Sequence, residues 1–187
     1  LFPLMPGEKI NAILAVKGFV DDEFIFMATA KGTVKKTPLS DFSNPRKSGI
    51  IAIKLDNGDF LVGAGVTDGS NDIVLVSNAG KAVWFDENDV RSMGRNARGV
   101  RGMKLVENQQ VLSLLIASSD EQSVLVATEN GFGKRTVLSE FRKSGRGTQG
   151  VKAIQVSERN GIVIAAKLVG DHDELMLITT GGVLIRT

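Results

Sequence analysis

Along the chain, short apolar runs rich in Val, Ile and Leu alternate with polar, glycine-containing turns. Nowhere does apolar spacing hold a helical period over three turns; the best stretch, Asp86 to Met93, is short and polar. Asn57-Gly58, Ala79-Gly80, Asn130-Gly131 and Asn160-Gly161 supply residues that accept the positive backbone angles of tight hairpins. The pattern predicts an all-β protein.

The runs also recur in register. FIFMATAKGTVKKTPLSDF from Phe24 matches DIVLVSNAGKAVWFDENDV from Asp72, SVLVATENGFGKRTVLSEF from Ser123 and LMLITTGGVLIRT from Leu175. Their turn glycines, Gly32, Gly80, Gly131 and Gly182, are spaced by 48, 51 and 51 residues. A second block follows each of the first three hairpins: SGIIAIKL around Gly49, RGVRGMKL around Gly99 and QGVKAIQV around Gly150. A third comprises DFLVGAGV from Asp59, QVLSLLIA from Gln110 and GIVIAAKL from Gly161, with INAILAV from Ile10 as its copy in an incomplete leading unit. Four strand-like segments per unit of about 50 residues is the blade period of a propeller-like array, in which each sheet covers its neighbour. A β-sandwich would explain the alternation but not a register-locked repeat.

Composition narrows the chemistry. The 187 residues, 42% hydrophobic and 24% charged, can bury a real core, and no apolar run approaches the roughly 20 residues of a membrane helix. The absence of Cys and Tyr removes disulfides, thiolate chemistry and tyrosyl nucleophiles. The start lacks both an initiator Met and a signal-peptide layout, and the end falls inside an apolar segment, so an excised fragment is expected.

Net charge is only +2, so attraction for a polyanion must rest on clustering. The cations do cluster, in the longest connection of each unit. Arg91, Arg95, Arg98, Arg101 and Lys104 form a run with no acid, as do Arg142, Lys143, Arg146 and Lys152. Arg46 and Lys47 occupy the matching place in the first unit. Lys35 and Lys36 precede them on a strand where Lys134 and Arg135 recur. A loop that is basic in three successive units predicts an arc of positive potential suited to a bent nucleic-acid backbone, with flanking Gly, Ser and Asn as phosphate donors. No aromatic residue interleaves, which disfavours stacking on a single strand and points to duplex DNA. Solvated loops on a protein-binding propeller are the alternative. Acidic turns at Asp21 to Glu23, Asp68 to Asp72, Asp120-Glu121 and Asp171 to Glu174 fall at the same sheet end by strand parity, so the cations are expected to be separated from them by radius.

Other chemistry is weak. His172, the sole histidine, lies in an acidic turn and lacks converging ligands, so no metal is expected. The acids form no unique pair for hydrolysis, and no glycine loop opens a helix to cradle a nucleotide. Trp84, Phe85, Phe42 and Phe141 read as packing residues.

The strings FMATAKGTVKKTPLSDF, VRSMGRNARGVRGMKL, NGFGKRTVLSEF, GVKAIQVSERNG and ITTGGVLIRT closely resemble the C-terminal domain of the bacterial DNA gyrase A protein, over nearly the whole chain. The resemblance implies a propeller-like β-pinwheel whose four-stranded blades exchange strands. Residues 1–187 would form one such domain fragment of about four blade units, incomplete at both ends. It also implies a non-catalytic module that binds duplex DNA on a basic rim and wraps it, without cofactor or metal. The module would support negative supercoiling by an ATP-hydrolysing type II topoisomerase. The expected DNA-binding residues are Lys35, Lys36, Arg46, Lys47, Arg91, Arg95, Arg98, Arg101, Lys134, Arg135, Arg142, Lys143, Arg146 and Lys152. The implied partners are the remainder of the gyrase A protein and, through it, the gyrase B protein, in the bacterial cytoplasm at the chromosome and away from membranes. The family's Gln-Arg-Arg-Gly basic box does not occur here, so the chain is expected to bind DNA while constraining little writhe. The related protein of topoisomerase IV, with a similar domain lacking that box, is the alternative.

Overall fold

A computed structural model describes residues 4–187. Alternating apolar positions and glycine turns produce antiparallel hairpins: β1 (Phe24–Thr29) with β2 (Thr33–Pro38), β4 (Asp72–Ser77) with β5 (Lys81–Asp86), and β8 (Ser123–Thr128) with β9 (Gly133–Val137). A fourth hairpin joins β12 (Met176–Ile178) to β13 (Leu184–Arg186). Each turn is closed by the amide of Gly32, Gly80, Gly131 or Gly182 donating three residues back, with that glycine at positive φ. Of the four turn dipeptides expected to close hairpins, Ala79-Gly80 and Asn130-Gly131 do so. Gly58 and Gly161 instead turn the chain into the next strand of their own blade.

The third repeated block adds an inner strand to each of three hairpins. These are β3 (Leu61–Thr67) on β1, β7 (Val111–Ala117) on β4 and β11 (Val163–Val169) on β8. The second block crosses over. β6 (Val100–Arg101) pairs with β2 of the preceding unit, and β10 (Val151–Lys152) with β5 of the preceding unit. The first two sheets thereby reach four strands, ordered β3-β1-β2-β6 and β7-β4-β5-β10, while the third has three and the last two. Strand exchange explains the glycine that opens the crossing block. A Cβ on Gly99 would stand 2.6 Å from the Val34 carbonyl oxygen, and one on Gly150 would overlap that of Ala82. Gly49, which crosses to no hairpin, has open space around it.

The core lies between blades. Phe26, Ala28 and Val34 of the first sheet pack on Ile73, Leu75, Val83 and Phe85 of the second. The reverse face of the second, with Val74, Val76, Ala82 and Trp84, packs on Val124, Val126 and Leu138. Period-two alternation thus serves two cores at once.

Two expectations need correction. Ile10–Val16 is not a strand, and Ile10, Ile13, Leu14 and Val16 are exposed. An inner strand pairs with the hairpin before it in its own unit, and among the described residues no hairpin is paired with this copy. The stretch Gly49–Ile53 forms no strand for the same reason: among the described residues there is no earlier hairpin for it to cross to.

Candidate nucleic-acid interface

The basic connections form the outer edge of the array, because the segment that carries the cations is also the one that crosses to the neighbouring blade. Residues 91–101 run along β2: the Met93 amide donates to the Lys36 carbonyl at 2.9 Å, Ser92 bridges Lys36, and Val100–Arg101 completes the sheet. Residues 144–152 run along β5 in the same manner, beginning with the Ser144 amide on the Trp84 carbonyl at 3.0 Å.

Successive loops are tied together. Arg98 pairs with Asp56 of the first loop. Arg146 donates from Nε to the Asp89 carbonyl at 2.8 Å and from Nη1 to the Arg101 carbonyl at 3.2 Å. The Gly147 amide donates to the Gly102 carbonyl at 2.6 Å, and the Lys104 amide to the Thr148 carbonyl at 2.8 Å. The basic segments are therefore a connected rim.

The fourteen expected residues divide by environment. Arg46, Lys47, Arg91, Arg101, Lys134 and Arg142 are exposed and make no side-chain hydrogen bond or ion pair among the described residues; Arg95 is half-buried and likewise unpaired. Lys152 is exposed and donates to Gln155 at 2.8 Å. Lys134 lies on β9, whose free edge carries no fourth strand among the described residues.

Lys35 and Lys36 correct the sequence expectation. Lys35 is fully buried, with Nζ donating to the Ala52 carbonyl at 2.8 Å and to the Arg95 carbonyl. Burial pulls its pKa below the ordinary lysine value; Asp41 opposes that shift and Arg95 adds to it. Lys36 is 4% exposed, with Nζ 3.1 Å from a Glu87 oxygen, 3.0 Å from Asn88 Oδ1 and 4.6 Å from the centre of the Phe24 ring. Neither ammonium is presented to solvent, because the Ala52 and Arg95 backbones close over Lys35 on one face of the sheet and Glu87 and Asn88 of the next blade close over Lys36 on the other.

Separation of charge by radius is incomplete. Lys143 Nζ donates to Asp72 Oδ1 at 2.6 Å and lies 5.6 Å from the Trp84 ring centre, in a hollow shared with Asp86 and Asp120. Arg135 pairs with Asp171. Both contact the acidic turns and are partly neutralised.

Two exposed lysines complete the rim. Lys54 falls outside the basic runs of the sequence, and Lys104 belongs to one without being among the expected contacts. They occupy the same place in the aligned blocks IAIKL and RGMKL, which is the signal that finds them. Among the described residues no cluster of His, Cys, Asp or Glu suits a metal, and no helix is long and apolar enough to cross a membrane.

The family model described as DNA gyrase C-terminal domain, beta-propeller, matches residues 23–68, 71–118 and 122–169, one match for each of the three complete hairpin-plus-inner-strand units. The DNA gyrase A protein of Salmonella typhimurium is 50% identical over 187 residues, covering 100% of this chain and 21% of that protein. The chain thus spans about a fifth of the length of the relatives it matches. Its structure superposes on the C-terminal domain of DNA topoisomerase IV with a TM-score of 0.92 at 31% identity, covering 100% of this chain and 58% of the other. On the DNA gyrase A C-terminal domain the TM-score is 0.80 at 30% identity, covering 91% of this chain and 57% of the other.

Proposed function

Because the chain belongs to the family of DNA gyrase C-terminal β-propeller domains, we propose that its basic rim binds duplex DNA without strong sequence preference and bends it along the blades. One observation carries this reading. Equivalent loops on successive blades are stitched edge to edge and present Arg46, Lys47, Arg91, Arg101, Lys104 and Arg142 with no acidic partner among the described residues. A line of unpaired cations at repeating intervals matches a line of phosphates, and phosphate contacts position a duplex without reading its bases.

In this role the domain does no bond chemistry. It supplies a curved track to the remainder of a gyrase A protein and, through it, to the gyrase B protein, supporting negative supercoiling in the bacterial cytoplasm. Membership in a topoisomerase IV protein is a second reading. The higher TM-score on that domain favours it, identity to the two solved domains, 31% and 30%, does not separate them, and the family model together with the 50% identity to the Salmonella typhimurium DNA gyrase A protein favours gyrase.

The test is a mobility-shift titration of a mixed-sequence duplex at 50 and 200 mM salt. For six to ten neutralised phosphates, affinity falls by about 10³ to 10⁵ across that range. A salt-insensitive association, or none, contradicts the proposal.

A further inference from the structure

Lys35 stands at a β-strand position that the next blade fills with Val83, and both side chains are fully buried. A lysine where a valine suffices for packing carries a desolvation cost that its hydrogen bonds must offset. Those bonds are informative. Nζ reaches the Ala52 carbonyl in the first basic connection and the Arg95 carbonyl in the second, which are joined otherwise by the exposed Arg98–Asp56 pair. The buried contact is shielded from salt in a way the exposed pair is not.

We propose that Lys35 is a positioning residue for DNA binding: without touching DNA, its buried amine clamps the first two basic connections together and fixes the spacing between Arg46-Lys47 and Arg95-Arg101. The inference rests on the DNA-binding reading, but its mechanical half can be observed with no DNA present. The local sequence supports it. Arg95 lies in a segment with Gly94 and Gly99, where the backbone has much freedom to lose, so a tether at its own carbonyl restricts the loop that leads to Arg98 and Arg101.

The experiment uses Lys35→Met, which keeps an unbranched apolar stem and removes every donor. Amide exchange without DNA comes first. Exchange of the Gly49, Met93 and Ala97 amides, which are hydrogen-bonded within or beside the two connections, is expected to rise by about tenfold, with β4 and β5 unchanged. Unchanged exchange at all three overturns the proposal. Duplex affinity is then measured in a double-mutant cycle with Arg95→Ala/Arg98→Ala/Arg101→Ala. Lys35→Met is expected to weaken binding about three- to tenfold in the otherwise unaltered chain and less than about twofold in the triple variant. An equal loss in both backgrounds overturns the proposal, since Lys35 would then act independently of those arginines.

Acylation of the unaltered chain needs no variant to fold. Lys35 is expected to resist modification equally with and without DNA, while Lys47 reacts and is protected by DNA. Lys35 that reacts in the free chain and is protected by DNA is itself a DNA contact, which overturns the proposal. A chain that fails to bind the duplex at 50 mM salt sinks the DNA-binding reading instead, and the exchange result alone then judges the clamp.

Discussion

Lys36 and Glu87 meet at the junction of the first two blades, 3.1 Å apart and both buried, at the places that Trp84 and Leu138 hold in the apolar cluster of the next junction. The neighbouring positions change with them. Thr67 donates its hydroxyl to Glu87 at 2.8 Å, where the next blade has Ala117 in its core. Lys36 lies over Phe24, while Trp84 donates its indole N–H to Asp72 at 2.9 Å from the equivalent strand position. The first junction therefore carries a buried polar patch beside its apolar core, at places the next junction fills with apolar side chains, although the backbone plan is shared.

Glu87 also accepts from the Gly69 and Asn71 amides, at 2.9 and 2.8 Å. Glu87→Leu strands the Lys36 ammonium in the interior and is expected to cost about 3–5 kcal/mol, the usual cost of removing one partner of a buried pair. Adding Lys36→Met removes the stranded charge and should recover at least half of that loss. Denaturant midpoints measure both, and additive losses in the double variant contradict the pairing.

The rim arginines are not equivalent. Arg95 and Arg101 make no side-chain pair among the described residues, whereas Arg98 is held by Asp56 and Lys143 by Asp72. Arg101→Ala and Arg142→Ala are expected to weaken duplex binding more than Arg98→Ala and Lys143→Ala, equally on unrelated sequences. Melting temperatures should change little, since exposed charges contribute little to folding. Competition titrations with two duplexes decide it; loss on one sequence only would signal base readout.

Lys35 makes stability depend on alkaline pH. Its folded-state pKa is lowered from 10.5 by burial, with Asp41 raising it and Arg95 lowering it. Between that lowered value and 10.5 the unfolded chain binds the extra proton, so this group's contribution to stability rises with pH. The neutral amine keeps two N–H donors for the Ala52 and Arg95 carbonyls. Stability of the unaltered chain relative to Lys35→Met is therefore expected to increase as pH approaches 10.5, by chemical denaturation at matched ionic strength. A decrease contradicts it.

If the rim bends DNA, it should speed closure of duplexes shorter than the persistence length of ~150 base pairs. Cyclisation of a duplex of about 120 base pairs is expected to accelerate with the chain bound, and less with Arg101→Ala and Arg142→Ala together. Binding without acceleration would mean that the duplex lies straight.

The repeat was legible because glycine turns and apolar alternation are local properties. Gly32, Gly80, Gly131 and Gly182 mark the four hairpins, and three basic connections follow three of them. Burial of Lys35 and Lys36 was not legible. A lysine pair on a strand reads as exposed unless it is known that Ala52 and Arg95 close over one face of the sheet and Glu87 and Asn88 over the other. The segment Ile10–Val16 differs from expectation for a related reason: its apolar pattern is that of an inner strand, but an inner strand forms only against a hairpin, and none is paired with it among the described residues. Partial neutralisation of Lys143 and Arg135 arises from folding acidic turns against basic loops, which linear charge runs do not encode.

Whether duplex DNA is held by the unpaired cations of the rim is read from the slope of log affinity against log salt. The unaltered chain is compared with a variant carrying Ala at Arg46, Lys47, Arg91, Arg101, Lys104 and Arg142. Each phosphate contact contributes about −0.9 to the slope, so six lost contacts should flatten it by about five units while the fold, read by circular dichroism, persists. A slope that does not change would show that these six cations do not hold the DNA.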